Sequence, residues 1–174
     1  MAIALSDISL PVFIQMLGGL DGLVDKAAAY CADRKVDPDA LLHARLAPSM
    51  YDFARQIRAI CDWPVLAICH TTGAKAPEFA AGDKTFADLK ARIATTIAFV
   101  QSADRAAFDA AEARELDVSI GANKRFMHGK DYIAHRVLPQ FYFHVTAAYS
   151  ILRHSGLELS KSDYMGKVPG QRIP

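Results

Sequence analysis

The chain has 174 residues, 52% hydrophobic and 22% charged, with a formal net charge of +1. That composition excludes a disordered chain and fits one ordinary globular domain, long enough to bury a core without cross-links. Near-neutral charge gives no electrostatic reason to expect nucleic acid or an anionic membrane as partner, and weak self-repulsion makes a homodimer easy to accommodate.

The opening stretch, "MAIALSDISLPVF", lacks a basic leader and places Asp7 where a signal peptide is apolar. No run approaches the ~18 apolar residues of a membrane span, so a soluble cytoplasmic protein is expected. The first helix is expected from about Ser9 to Arg34, with Ser9 as cap and Pro11 in the first turn. Val12, Met16, Leu20, Leu23, Ala27 and Tyr30 keep the helical period along it. Gly18 and Gly19 weaken its middle or permit another helix to approach closely. Asp37-Pro38 then opens a short helical turn.

Pro48 marks the expected start of a second long helix, about 48 to 71, with Met50, Phe53, Ile57 and Ile60 on one face. Pro64 should kink it, and Gly73 is its stop. "GAKAPEFAAGD" reads as a loop. Thr85 followed by Asp88 is a capping-box pattern, and Phe86, Leu89, Ile93, Ile97 and Val100 continue a third helix. "ADRAAFDAAEA" suggests one short turn. Residues of about 113–128, alternating on both sides of "GAN", predict a small β-hairpin that must rest on the helices.

The last long helix is expected from Gly129 or Lys130 to Gly156, bent at Pro139. Phe141, Val145, Ala148 and Leu152 lie on its inner face. The tail, about 157–174, should cross the surface and fray at its end. Four long helices with a hairpin before the last make an all-α four-helix bundle the natural packing solution. Cys31, Cys61 and Cys69 fall in apolar helical patterns without C-x-x-C spacing and read as free thiols, as in a reducing compartment.

Three segments, "LLHARLAPSMYDFARQI", "FYFHVTAAYSILRHSG" and "KSDYMG", resemble the signature segments of an uncharacterised bacterial family of unknown function. That family lies within the DinB/YfiT-like superfamily of proposed metalloenzymes. The resemblance runs from about Leu10 to Gly166. It implies a DinB-like four-helix bundle, often a homodimer. It also implies a divalent ion held by three histidines, one on the second helix and two in an H-x-x-x-H on the last, where residues i and i+4 share a face. Here the corresponding pair reads Gln140-x-x-x-His144, and glutamine is a poor ligand for zinc or nickel.

On the residues themselves, His144 shares a stripe with Gln140, Ala148 and Ile151 and is expected to be a semi-buried histidine with one good hydrogen bond. Arg45 and Asp52 are expected to pair near the start of the second helix. A sharper reading joins Arg45, Tyr142 and His144 in a polar pocket suited to a carboxylate or phosphate. His154 with Arg153 complements a helix C-terminus. The spacing of His128 and His135 matches no zinc motif. Pocket candidates are therefore His144, Gln140, His43, Arg45 and Tyr142, with no residue assigned to catalysis. No cofactor is expected. The expected function is a small-molecule-binding or structural dimer without the superfamily's metal. The alternative is an enzyme, a transferase or hydrolase, using Zn, Ni or Fe on His144 with His43. No nucleotide-binding, P-loop, G-x-S-x-G or H-E-x-x-H pattern occurs, and no aromatic-rich basic patch.

Overall fold

A computed structural model describes residues 3–80 and 82–171. Helix α1 (Leu5–Arg34) begins before the expected Ser9 cap. Ser9 lies buried inside the helix, its hydroxyl donating to the Leu5 carbonyl at 2.7 Å, and Pro11 sits past the first turn. By length and composition alone α1 could cross a membrane, with mean hydropathy 1.3 over its best 18-residue window, which the reading by apolar runs had not shown. Half of that window is buried within the protein. Its inner face, with Phe13, Leu17, Leu20 and Val24, is part of the core.

Helix α2 (Pro38–Leu42) starts on the Asp37 cap, as the Asp-Pro pair predicts. Helix α3 (Phe53–Thr72) does not open at Pro48. Its cap is Asp52, whose carboxylate accepts from the Arg55 N–H at 2.9 Å, satisfying a donor that the first turn leaves open. Pro64 is accommodated within it, and Gly73 ends it in the left-handed region at φ 77°. Helix α4 (Phe86–Gln101) carries the full Thr85–Asp88 capping box.

After α5 (Arg105–Ala110), strand β1 (Glu115–Asp117) pairs antiparallel with β2 (Phe126–His128), in the register Glu115 to His128. The expected hairpin is thus present, and Ile120 sits in its loop. The chain re-enters helix at α6 (Gly129–Tyr132) through a contact only glycine allows: a Cβ on Gly129 would lie 2.1 Å from the Ala111 carbonyl oxygen. A π-helical turn (Ile133–Val137) then leads into α7 (Leu138–His154). The irregularity thus falls just ahead of Pro139, which has no N–H to donate to the His135 carbonyl.

The tail does more than cross the surface. Ser160 and Asp163 form a second capping box, starting α8 (Lys161–Met165). This short helix docks on α1: Lys26 pairs with Asp163 at 2.6 Å, and Gln15 donates to the Met165 carbonyl at 3.0 Å. Gly19 is the close-approach glycine, since a Cβ there would meet the Tyr164 carbonyl at 3.0 Å, whereas Gly18 faces open space. The expected fraying concerns residues 172–174, which lie outside the described residues.

The bundle is closed by α1 on α4, α3 on α4 and α3 on α7. Phe13 of α1 meets Phe141 of α7 edge-on, ring centroids 5.0 Å apart, and Ile57, Ile60, Ile93 and Val145 fill in around them. Each such fully buried side chain contributes about 1.5–3 kcal/mol relative to an exposed one. On the outer side of α3, Asp83 takes a bidentate grip from Arg92, at 2.8 and 2.7 Å, and a further contact from Arg58 at 3.5 Å.

Candidate functional site

The α3–α7 pairing that builds the core also sets two polar residues face to face. Gln56 comes one turn into α3 and is 1% exposed; His144 comes from the middle of α7 and is 8% exposed. The His144 Nδ1 and Gln56 Oε1 lie 2.7 Å apart, and the other end of the Gln56 amide donates to the Tyr51 carbonyl at 3.2 Å. The expected single good hydrogen bond of His144 is therefore present, with an amide as partner. Burial holds His144 below its ordinary pKa, favouring neutral imidazole.

This pair forms one wall of a cavity of about 650 Å³. Its floor comes from α3, with Arg55, Ala59, Asp62, Trp63 and Leu66; α7 supplies Gln140, Phe143 and His144; the hairpin loop adds Ile120. The segment before α3 adds Met50 and Tyr51. The Tyr51 ring lies parallel to the His144 ring within 7°, centroids 5.9 Å apart, and the Arg55 guanidinium sits 3.9 Å from the Tyr51 centroid. Phe143 is 55% exposed at the rim. Burial raises the pKa of Asp62, while Arg92 and Arg58 oppose that shift. The volume lies within the roughly 300–1,000 Å³ typical of small-molecule sites.

Of the sequence candidates, His144 and Gln140 meet in this cavity. His43, Arg45 and Tyr142 are not among its lining residues. Arg45 instead bridges the Met50 carbonyl at 2.8 Å and Asp52 at 3.0 Å, the pairing expected for it. His43, with 69% of its side chain exposed, leans on the same Asp52 at 3.4 Å. Tyr142 lies on a different side of α7, 38% exposed, so the Arg45–Tyr142–His144 pocket does not form. His128 bonds the Ala113 carbonyl at 3.0 Å, and His135 lies in the π turn.

The residues that sequence reasoning missed are Gln56, Arg55, Tyr51 and Trp63. Tyr51, Arg55 and Gln56 all lie within the signature segment "LLHARLAPSMYDFARQI", but nothing in it set them apart from His43 and Arg45. A second signal was the helical spacing that puts Gln56, Ala59 and Trp63 on one side of α3.

The comparisons with known proteins agree with this architecture. Residues 5–165 match DUF1993, a domain of unknown function. The chain belongs to this family. It is also similar to the crystal structure of a DinB family member protein from Shewanella denitrificans, with 32% identity, a TM-score of 0.86, and coverage of 97% of this chain and 96% of that one. The DUF1993 chain is thus a DinB-like helical bundle. No curated protein matches it.

DinB-like architecture raises the question of a metal. At the place where a three-histidine site would stand, this chain offers one imidazole, His144, with Gln140 four residues earlier and Gln56 opposite. Gln56 Oε1 is already occupied by His144 Nδ1. His43, the other expected ligand, is engaged with Asp52. Among the described residues, no three His, Cys, Asp or Glu side chains stand where they could share an ion. One imidazole beside neutral amides, with Asp62 elsewhere in the cavity lining, is a weak donor set for zinc, nickel or iron.

Proposed function

We propose that this protein binds a small aromatic anion in the cleft between α3 and α7. The carrying observation is the cavity of about 650 Å³, which joins aromatic and apolar walls to a few convergent polar groups. Trp63 and Phe143 offer π surfaces for a planar body. Arg55 offers a guanidinium with no carboxylate within 4.0 Å among the described residues, whereas Arg58 and Arg92 are matched to Asp83. A guanidinium beside an aromatic ring suits a carboxylate on a planar ligand. Of the two expected roles, ligand-binding protein and structural dimer, the cavity favours the first.

Trp63 is the sole tryptophan and lines the cavity, so its fluorescence reports occupancy directly. Titration with benzoate and naphthoate should change Trp63 emission saturably in the native protein. Arg55→Ala should weaken the response about tenfold, the loss of one charge-assisted hydrogen bond. A flat emission across all such aromatic acids would refute the reading.

A further inference from the structure

Within that cavity, the polarity of each atom around His144 follows from the hydrogen bonds. The Tyr51 carbonyl can only accept, so the group of Gln56 that faces it at 3.2 Å is the NH2. The Gln56 carbonyl oxygen is then the atom facing His144 Nδ1 at 2.7 Å. A carbonyl oxygen only accepts, so Nδ1 carries the proton. Burial keeps the ring neutral. Nε2 is left as an unprotonated lone pair.

That lone pair has no protein partner, although the residue as a whole is 8% exposed. No buried side-chain nitrogen or oxygen among the described residues is both sealed from solvent and unbonded, so Nε2 is reached by solvent on a residue that lines the cavity. Gln56 is itself 1% exposed, so water cannot readily replace its bond to the ring. The Tyr51 ring runs parallel to the imidazole within 7°, its centroid 5.9 Å away. A free imidazole exchanges its proton between the two nitrogens; this one is held in a single tautomer by its surroundings.

We infer that His144 is a fixed hydrogen-bond acceptor, and that the ligand of this cavity is an aromatic acid carrying an O–H or N–H donor directed at Nε2. The inference rests on the aromatic-anion reading and adds a requirement to it. A site built to accept a hydrogen bond rejects an analogue that lacks the donor, because its own buried acceptor is left unpaired. Simple phenol acids and amino-substituted aromatic acids meet the requirement. Their methylated counterparts do not.

Two measurements test this. The first compares 4-hydroxybenzoate, 4-methoxybenzoate and benzoate by Trp63 fluorescence. The hydroxyl compound should bind at least tenfold tighter than the methoxy compound, equivalent to one hydrogen bond. In Gln56→Leu the preference should fall to about twofold or less, because the ring proton is then free to move to Nε2. Equal binding of all three by the native protein would overturn the donor requirement and leave the aromatic-anion reading standing. Binding of none would overturn that reading.

The second measurement needs neither a ligand nor a variant. The long-range proton–nitrogen correlations of His144 in native protein near neutral pH distinguish the tautomers. The Nδ1–H pattern supports the inference, while a proton on Nε2, or on both nitrogens, overturns it.

Discussion

Near the far end of α3, His70 Nδ1 meets the Tyr132 hydroxyl at 2.8 Å; one turn into the same helix, Gln56 meets His144 Nδ1 at 2.7 Å. Both histidines bridge α3 to the final helical stretch, and burial holds both below the ordinary pKa, with Arg136 adding to the effect at His70. Their surroundings differ. Around His70, Tyr132 is 1% exposed, Gly129 seats on the Ala111 carbonyl, and Arg114 donates to the Thr71 carbonyl. The protein fills that corner itself. Around His144 the neighbouring volume is a cavity edged by Tyr51, Trp63 and Phe143. The same kind of hydrogen bond thus closes the structure in one place and presents a nitrogen to an open site in the other. A buried histidine on its own says little about function; the space beside its second nitrogen says more.

The comparison can be broken most decisively at the closed corner. Tyr132→Ala removes a fully buried aromatic ring and should cost about 3–5 kcal/mol, read as a lower urea midpoint at unchanged slope. A loss below about 1 kcal/mol would mean that this corner is as loosely filled as the other.

Acid acts on both corners together. The unfolded chain takes up a proton at each histidine near 6.5, whereas the folded chain holds out to lower pH. The stability linked to these two groups is therefore complete above 6.5 and declines as pH falls through 6.5 toward the lowered folded values. Melting temperature should fall between about pH 7.5 and about pH 5, and His144→Ala should flatten part of that slope. A slope of opposite sign would show that one imidazole is charged in the native state.

The smallest stability effect belongs to the open corner. Arg55→Ala, at the exposed edge of the cavity, should change stability by no more than about 0.5 kcal/mol while weakening benzoate binding. Equal losses in both would mark Arg55 as a structural residue.

Much of the fold was legible because local chemistry announced it. Thr85 with Asp88, Asp37 with Pro38 and Gly73 each mark a helix end by a hydrogen bond or a backbone angle that few other residues supply. The misplaced starts have the same origin. Pro48 resembles an opening residue, but Asp52 provides the hydrogen bond that caps α3. Ser9 resembles a cap, but inside a helix its hydroxyl returns to the carbonyl four residues back. Ser160 with Asp163 was a readable box set in a glycine- and proline-rich tail, where the loop composition outweighed it.

The site was legible only on the α7 side. Gln140 and His144 share a face at i and i+4, which spacing alone reveals. Which residues of α3 look back at them depends on the register between two helices far apart in sequence, and helical periodicity does not set that register. Arg45 and Arg55 lie in the same signature segment, and Arg45 was favoured for its spacing from Asp52. The guanidinium at the cavity is Arg55, in the first turn of α3.

The central claim is that His144, bound through Nδ1 to Gln56, offers its free nitrogen to an organic donor and not to a metal ion. Elemental analysis of untagged protein, equilibrated with zinc, nickel and ferrous iron and then dialysed, tests it most directly. The account predicts well under one-tenth of an equivalent of any of these metals, with no difference between native protein and His144→Ala. One equivalent of metal in the native protein, absent from His144→Ala, would contradict it.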